Sequence, residues 1–225
     1  MKTVNGLALC AGIGGIELGL KLVLGDSYRT VCYVEREAYC AACLVKRMEE
    51  GFLDKAPIWD EISEFRGGDW RGFVDVITAG FPCQPFSLAG KRKREADERH
   101  IWPDIARIIR ECQPALVFLE NVHVSAFREP FRDLRAMGFT LPPPYAITAA
   151  ELGAGHLRRR VFVLAYRSGR ELRIQPGGGS RESREGETES EEVSRNATKQ
   201  PEREPGKETL SFCSGNFSPC VPAIA

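Results

Sequence analysis

Short apolar runs alternate with segments of helical periodicity over the first 166 residues of the chain. Apolar runs predict strands at 3–9, 29–34, 73–79, 114–119 and 161–166. Helical periodicity predicts helices at 16–25, 37–51, 101–112 and 127–138. Strands that alternate with helices form a parallel, doubly wound α/β sheet, in which ligands bind at the carboxyl ends of the strands.

The chemically unusual residues of the chain lie at those predicted strand ends. They are the glycine turn at 12–15, Glu35, Cys83 and Glu120. Because the carboxyl ends of parallel strands meet at one edge of a sheet, we expect these four features to converge on one site.

The first of these turns reads CAGIGG at 10–15 and runs directly into a helix. Glycines at such a turn let backbone amides approach a ligand closely, although tight packing alone would also explain them. Glu35, at the next strand end, is placed to accept hydrogen bonds from ribose hydroxyls. The pair favours a nucleoside-containing cofactor, and the absence of a G-x-G-x-x-G pattern argues against a nicotinamide.

Cys83 lies in the turn Pro-Cys-Gln-Pro, between a buried strand and the basic run at 91–94. Pro82 and Pro85 restrict the backbone on both sides of the thiol. An inert cysteine is the alternative, but inert cysteines usually lie within strands rather than at their exits. Nearby positive charge favours a thiolate, so the segment predicts a nucleophile.

An acid and two arginines complete the predicted site. Glu120 ends the apolar strand LVFLE, where burial would raise the pKa of its carboxyl, although a helix cap or a surface salt bridge would also explain an acid here. Arg158 and Arg160 alternate into the last strand, so both should share one face and suit a phosphate or a carbonyl oxygen. Arg159 points the other way and is expected to be solvated or to contact a phosphate.

Composition restricts the partners and the compartment. The 31 basic and 31 acidic residues cancel, so any attraction to nucleic acid comes from local clusters such as 91–94 and 158–160. No apolar run is long enough to span a membrane and the start is a poor signal peptide, which predicts a cytoplasmic protein. Residues 168–225 are polar and predict a disordered tail.

The eight cysteines do not predict a metal centre. Cys40 and Cys43 have C-x-x-C spacing, but they fall in a predicted helix and lack a second pair at zinc-ribbon distance. Neither a structural zinc nor a disulfide framework is expected.

Taken in order, these segments resemble the DNA (cytosine-5)-methyltransferase family over about residues 5–166. CAGIGGIELGL is similar to its cofactor motif, AGFPCQPFS to its catalytic loop, ENV to its acidic motif and HLRRRVF to its paired-arginine motif. PIWDEISEF and DERHIWPDIARII stand where its other cofactor motifs belong. The resemblance implies a Rossmann-like S-adenosylmethionine-dependent methyltransferase fold, mostly parallel with a late antiparallel strand, with the catalytic domain at 1–167.

The resemblance also implies a reaction in which a cytosine is flipped out of DNA and methylated at C5. Cys83 would attack C6, and Glu120 would hydrogen-bond the ring N3 and the exocyclic amine. Arg160 would hold the O2 carbonyl, and Arg158 would brace the site. The basic loop at 84–99 would close over the target.

For the S-adenosylmethionine cofactor, the resemblance implies that Glu35 binds the ribose and that an acid of the WDEIS segment binds the adenine amine. Glu61 aligns with the family's usual aspartate, and its longer side chain would lengthen that contact. Asp60 directly precedes it. The remaining implied cofactor contacts are Cys10, Ala11, Gly12, Ile13, Gly14, Gly15, Ile62, Gly80, Pro82 and Ile101.

The chain departs from the family pattern in several ways. Cys10 replaces an aromatic residue that often stacks on adenine. Gly155-His156 replaces the Pro-Gln pair with which the paired-arginine motif usually begins. The polar region after 167 contains no recognisable target-recognition domain, and the stretch GNFSPCVPAIA at 215–225 is faintly similar to the family's final motif. The alternatives are therefore a truncated relative that binds cofactor or nucleic acid without turnover, a catalytic chain that needs a partner for DNA recognition, and methylation of RNA.

Overall fold

The computed structural model describes residues 3–82 and 101–169, in which strands and helices alternate as the sequence predicts. The strands are β1 (Val4–Leu9), β2 (Tyr28–Val34), β3 (Ile58–Trp59), β4 (Val76–Gly80), β5 (Leu116–Asn121), β6 (Tyr145–Thr148) and β7 (Arg159–Tyr166). The helices are α1 (Gly15–Leu24), α2 (Ala38–Glu49), α3 (Trp102–Cys112) and α4 (Arg128–Ala136). Short 3₁₀ turns lie at Gly25–Ser27, Gly67–Trp70, Val124–Phe127 and Ala150–Leu152.

Within the described residues the strands form one sheet in the order β3-β2-β1-β4-β5-β7-β6. The first five strands in that order are parallel to their neighbours, whereas β7 runs antiparallel to β5 and β6 runs antiparallel to β7. The predicted fold class, a mostly parallel doubly wound sheet with a late antiparallel strand, is confirmed.

Two strands were not predicted, and several strand boundaries differ from the prediction by one to three residues, most at the start of β4. β3 has only two residues, and β6 follows a proline-rich stretch and is partly exposed, so neither carries the apolar run that marks a buried strand. The strand predicted at 73–79 begins only at Val76. Before it, the Asp75 carboxylate accepts a hydrogen bond of 3.0 Å from the Asn5 amide, and the Asn5 side chain binds the carbonyl of Phe73.

The two faces of the sheet are covered unequally. α3 and α4 pack on one face, over the fully buried Ile77, Leu119 and Val163. On the other face α1 and α2 cover the β1–β2 side. Toward β5 and β7 that second face is only half covered, since Phe118 and Phe162 stack at 5.6 Å while Leu164 is 43% exposed.

The turn before α1 provides a direct test of backbone requirements. A Cβ on Gly14, whose φ is +79°, would lie 2.5 Å from a Leu53 methyl and 2.9 Å from a Leu44 methyl. Gly14→Ala should therefore destabilise the fold by about 2–4 kcal/mol in urea unfolding. Gly19→Ala is the matched control, because a Cβ there meets nothing within 4 Å. It should stabilise the helix by up to about 1 kcal/mol, and equal losses at both positions would contradict this account.

None of the helices in the described part of the chain is long and apolar enough to cross a membrane. Within the same residues, histidine, cysteine and acidic side chains form no group of three that could hold a metal ion. Cys40 and Cys43 lie on α2 and form no disulfide within the described residues.

Candidate active site

The glycine turn joins the ends of β1 and β2. The Gly12 amide donates a 2.6 Å hydrogen bond to the Glu35 carboxylate, whose other oxygen accepts a 2.8 Å bond from the Glu37 amide. Gly12 and Gly14 have φ values of 55° and 79°, which favour glycine. The turn and the acid expected to bind a cofactor are therefore held together at the carboxyl end of the sheet.

Neighbouring side chains fix the path of this turn. Ala11 is fully buried, while Ile13 and Gly15 are half-buried. Arg47, which sequence reasoning missed, donates a 2.7 Å hydrogen bond from α2 to the carbonyl of Ile13. Burial raises the pKa of the Cys10 thiol to about 12, and the Glu35 charge adds to the effect. Cys10 therefore stays protonated and offers the site a small apolar surface.

The two acids after β3 have different surroundings. Glu61 accepts hydrogen bonds from the amide and hydroxyl of Ser63, at 3.1 and 3.0 Å, and the amide bond is the main cause of its lowered pKa. Asp60 is exposed and makes no hydrogen bond or ion pair within the described residues. Ile62 is buried behind them. Asp60 is thus the acid with free acceptor oxygens at this strand end.

Glu120 is the buried acid of the site. It is the penultimate residue of β5, is 3% exposed, and its Oε1 lies 2.6 Å from Nε of Arg160. Neither of these two atoms has a hydrogen bond in the described structure, so the contact is electrostatic and the Nε–H of Arg160 is not directed at the carboxyl oxygen. Burial raises the pKa of Glu120 to about 7, although Arg160 and Arg158 pull it down. The carboxyl can therefore hold or release a proton near neutral pH.

Arg158 and Arg160 lie near Glu120, the first just before β7 and the second within it. Arg160 donates a 2.8 Å bond to the carbonyl of Arg159, and its side chain is 11% exposed. The pKa of Arg158 is lowered, first by burial and then by the positive charge of Arg160, while Glu120 opposes the shift. Two guanidinium groups and one carboxyl thus interact at one end of the sheet.

A second residue of β5, which sequence reasoning also missed, holds the segment that leads to Cys83. Asn121 is buried, and its side-chain amide donates a 2.9 Å hydrogen bond to the carbonyl of Phe81. The Phe81 ring packs against Trp102 and Phe127, with ring centres 5.9 and 6.0 Å apart. The segment directly after β4 is therefore held by β5, by α3 and by the 3₁₀ turn Val124–Phe127.

The remaining predicted residues lie around that segment. Gly80 is the last residue of β4 and pairs with Glu120 across the sheet. Pro82 follows it and is exposed, and half-buried Ile101 immediately precedes α3. Cys83 and the basic loop at 84–99 lie outside the described residues, so their positions remain predictions.

The arrangement combines two chemical functions at one edge of the sheet. On one side, Glu35 and Asp60 offer carboxylate oxygens to hydroxyl or amine donors beside the N-terminus of α1. On the other, Glu120 and Arg160 present a titratable carboxyl and a guanidinium to a planar polar ring. β4 ends between the two.

The family model for C-5 cytosine-specific DNA methylases matches residues 4–213. The type II methyltransferase M.HpaII of Haemophilus parainfluenzae is 36% identical over 171 residues, which cover 70% of this chain and 44% of that protein. The type II methyltransferase M.NgoMIV of Neisseria gonorrhoeae is 30% identical over 172 residues, or 72% of this chain and 51% of that protein. The chain thus spans about half the length of the curated relatives it matches.

Solved structures share the fold. The S. pombe Dnmt2 methyltransferase superposes with a TM-score of 0.60 at 22% identity, covering 75% of this chain and 52% of that one. The Entamoeba histolytica methyltransferase EhMeth gives a TM-score of 0.61 at 16% identity, with 78% and 57% covered.

Proposed function

This chain belongs to the C-5 cytosine-specific DNA methylase family, and we propose that it transfers a methyl group from S-adenosylmethionine to C5 of cytosine in DNA. The observation that carries the proposal is the buried Glu120 carboxyl, with a pKa of about 7, against the Arg160 guanidinium. A neutral, buried acid beside a fixed cation suits the N3–C2=O edge of a cytosine, which offers two acceptors to hydrogen-bond donors. The proposed catalytic domain is residues 1–167.

In the proposed mechanism, the Cys83 thiolate forms a bond to C6 of a cytosine flipped out of the duplex. Glu120 donates a hydrogen bond to N3 and thereby stabilises the negative charge that attack develops on the ring. Arg160 donates hydrogen bonds to the O2 oxygen, and Arg158 supports the positions of the Arg160 and Glu120 side chains. Once C5 carries the methyl group, solvent water would accept the C5 proton, the C5–C6 double bond would form again, and the Cys83–C6 bond would break to regenerate the thiolate.

The cofactor site fits a nucleoside. Within the described residues, Glu35 accepts hydrogen bonds only from backbone amides, and its position at the end of β2 suits ribose hydroxyls. Among the described residues nothing binds the Asp60 carboxylate, so its oxygens are available to an adenine amine, whereas the Glu61 carboxylate accepts bonds from Ser63. Bound S-adenosylmethionine would supply an electrophilic methyl group, which the glycine turn at 12–15 would orient toward the end of β4.

We also propose that a partner chain or a further segment supplies the DNA sequence recognition. The chain covers 51% of M.NgoMIV and 44% of M.HpaII, so about half of each relative has no counterpart here. The half-exposed apolar side chains of the β5–β7 face, including Leu164 and Tyr166, are a surface that a further element could cover. Both relatives are named as type II methyltransferases, which favours a role in restriction-modification.

The test is methyl transfer from labelled S-adenosylmethionine to cytosine-containing DNA, with a parallel duplex that contains 5-fluorocytosine. Fluorine replaces the proton that must leave, so a covalent protein–DNA adduct should accumulate. Cys83→Ser should abolish both transfer and adduct. Cys43→Ser is the matched control, since Cys43 is a half-buried free thiol on α2. If wild-type protein binds the cofactor but gives neither product nor adduct, the chain is a binding protein without turnover.

A further inference from the structure

A cavity of about 310 Å³ lies beside the proposed catalytic residues and has no role in the mechanism above. Arg159 and His123 are its basic lining groups, and the other lining side chains are apolar, among them Val161 and Ala146. β5 ends just before this cavity and β7 begins in it, so it lies at the same edge of the sheet as Glu120. It could therefore contact a part of the substrate adjacent to the target base.

Arg159 is directed into this cavity by the alternation of the strand. Arg160 faces Glu120, so Arg159 projects from the opposite face, together with Val161. Its side chain is exposed and makes no hydrogen bond or ion pair within residues 3–82 and 101–169. The pKa of nearby Glu151 is lowered mainly by the hydrogen bonds that its carboxylate accepts from the amide and hydroxyl of Thr148, at 2.6 and 2.8 Å, and least by the charge of Arg159.

His123 is the second polar group of the cavity. It follows Asn121 by two residues and is exposed, and its backbone carbonyl accepts a 3.1 Å bond from the Ala126 amide. That bond fixes the turn after β5 and therefore the backbone position from which the His123 side chain extends. An imidazole donates an N–H whether it is neutral or charged. No acidic side chain lines the cavity in the described structure, which suits an anion.

We propose that this cavity binds a backbone phosphodiester of the substrate DNA beside the target cytosine. The planar guanidinium of Arg159 donates hydrogen bonds to the phosphate oxygens, and His123 donates an N–H to the same phosphate. The apolar lining packs against the adjoining sugar. The site would hold the strand in register while Arg160, one residue along, holds the base. This inference rests on the proposed function, because it assumes that DNA reaches this edge of the sheet.

The experiment measures the affinity of the full chain for a short cytosine-containing duplex between about 0.05 and 0.3 M salt. Each phosphate contact contributes about 0.9 to the slope of log K against log salt concentration. Arg159→Gln should lower the slope by about 1 and weaken binding about eightfold at ~0.1 M salt. Arg159→Lys should keep the slope, since it keeps the charge. His123→Ala should weaken binding with little change of slope.

Arg71→Gln is the matched control. Arg71 is also exposed, and it lies shortly before β4, at the opposite edge of the sheet. Equal slopes for wild type, Arg159→Gln and Arg71→Gln would overturn the phosphate site. If the wild-type chain still transfers methyl groups in that case, the proposed function stands and only this inference fails. A lower slope for Arg159→Gln in a chain without methyl transfer would support the site and count against the catalytic proposal alone.

Discussion

Replacing Glu120 with glutamine is expected to slow methyl transfer by about 100- to 1,000-fold at pH 7. The carboxyl is 3% exposed and burial raises its pKa to about 7, so near neutral pH it can hold a proton for donation to cytosine N3. A glutamine of the same shape cannot transfer or share that proton. Affinity for S-adenosylmethionine should be unchanged, because Glu35 and Asp60 lie at other strand ends. Single-turnover rates and cofactor titration measure the two quantities separately.

The same substitution should change the pH profile. In wild type, donation by Glu120 requires the protonated carboxyl, so its contribution falls as pH rises through about 7. The falling limb should therefore disappear in Glu120→Gln, whose residual rate depends on thiolate formation and rises with pH. Glu49→Gln, an exposed acid at the end of α2, is the control and should keep the wild-type profile. An alkaline limb that persists in Glu120→Gln would show that another group titrates there.

The second large effect concerns stability, and it involves Glu17 at the start of α1. Glu17 is 1% exposed; the Thr78 hydroxyl donates a 2.6 Å hydrogen bond to one carboxylate oxygen, and the other has no hydrogen bond in the described structure. Burial raises its pKa from 4.5 to about 7. The folded state thus holds a proton that the unfolded chain releases above pH 4.5, and the fold loses stability as pH rises from there to 7.

Glu17→Gln removes this titration while keeping the acceptor for Thr78. The variant should match wild type near pH 4.5 and exceed it by about 3 kcal/mol at pH 8, since each unit of pKa shift corresponds to about 1.4 kcal/mol. Urea unfolding at pH 5 and pH 8 measures the difference. Glu49→Gln should change stability by less than about 0.5 kcal/mol at either pH. A gain from Glu17→Gln that is equal at both pH values would mean that ionisation is not its cause.

Much of the fold could be predicted because β1 and β4 are buried along their whole length and β2, β5 and β7 each bury at least one face. β1, β2, β4, β5 and β7 each carry an apolar run, and the helices between them have apolar stripes that meet the sheet. β3 and β6 could not be recognised, because a two-residue strand and an exposed edge strand depend on pairing with neighbours rather than on their own composition. The start of β4 was placed three residues early because Phe73 is apolar but 45% exposed.

The candidate site was predictable where a single residue stands at a strand end, as Glu35 and Glu120 do. Residues that act through contacts across the fold were not. Asn121 reads in the sequence as an ordinary polar neighbour of Glu120, and only the structure shows its bond to Phe81. Glu17 sits on a helix that looks amphipathic, so its burial against Thr78 could not be expected from periodicity. The role of Cys83 stays a prediction.

The pairing of Gly80 with Glu120 across β4 and β5 has a consequence for how this chain can vary. Neighbouring strands are about 4.8 Å apart, so the sheet itself sets the separation between the acid and the segment that carries the thiol. A slip of β5 by one residue would turn Glu120 toward α3 and bring Leu119 to its place. Insertions between α4 and β6 leave that spacing alone. Deletion of one residue within β5 would abolish the pairing of Gly80 with Glu120, even if all surrounding residues were unchanged.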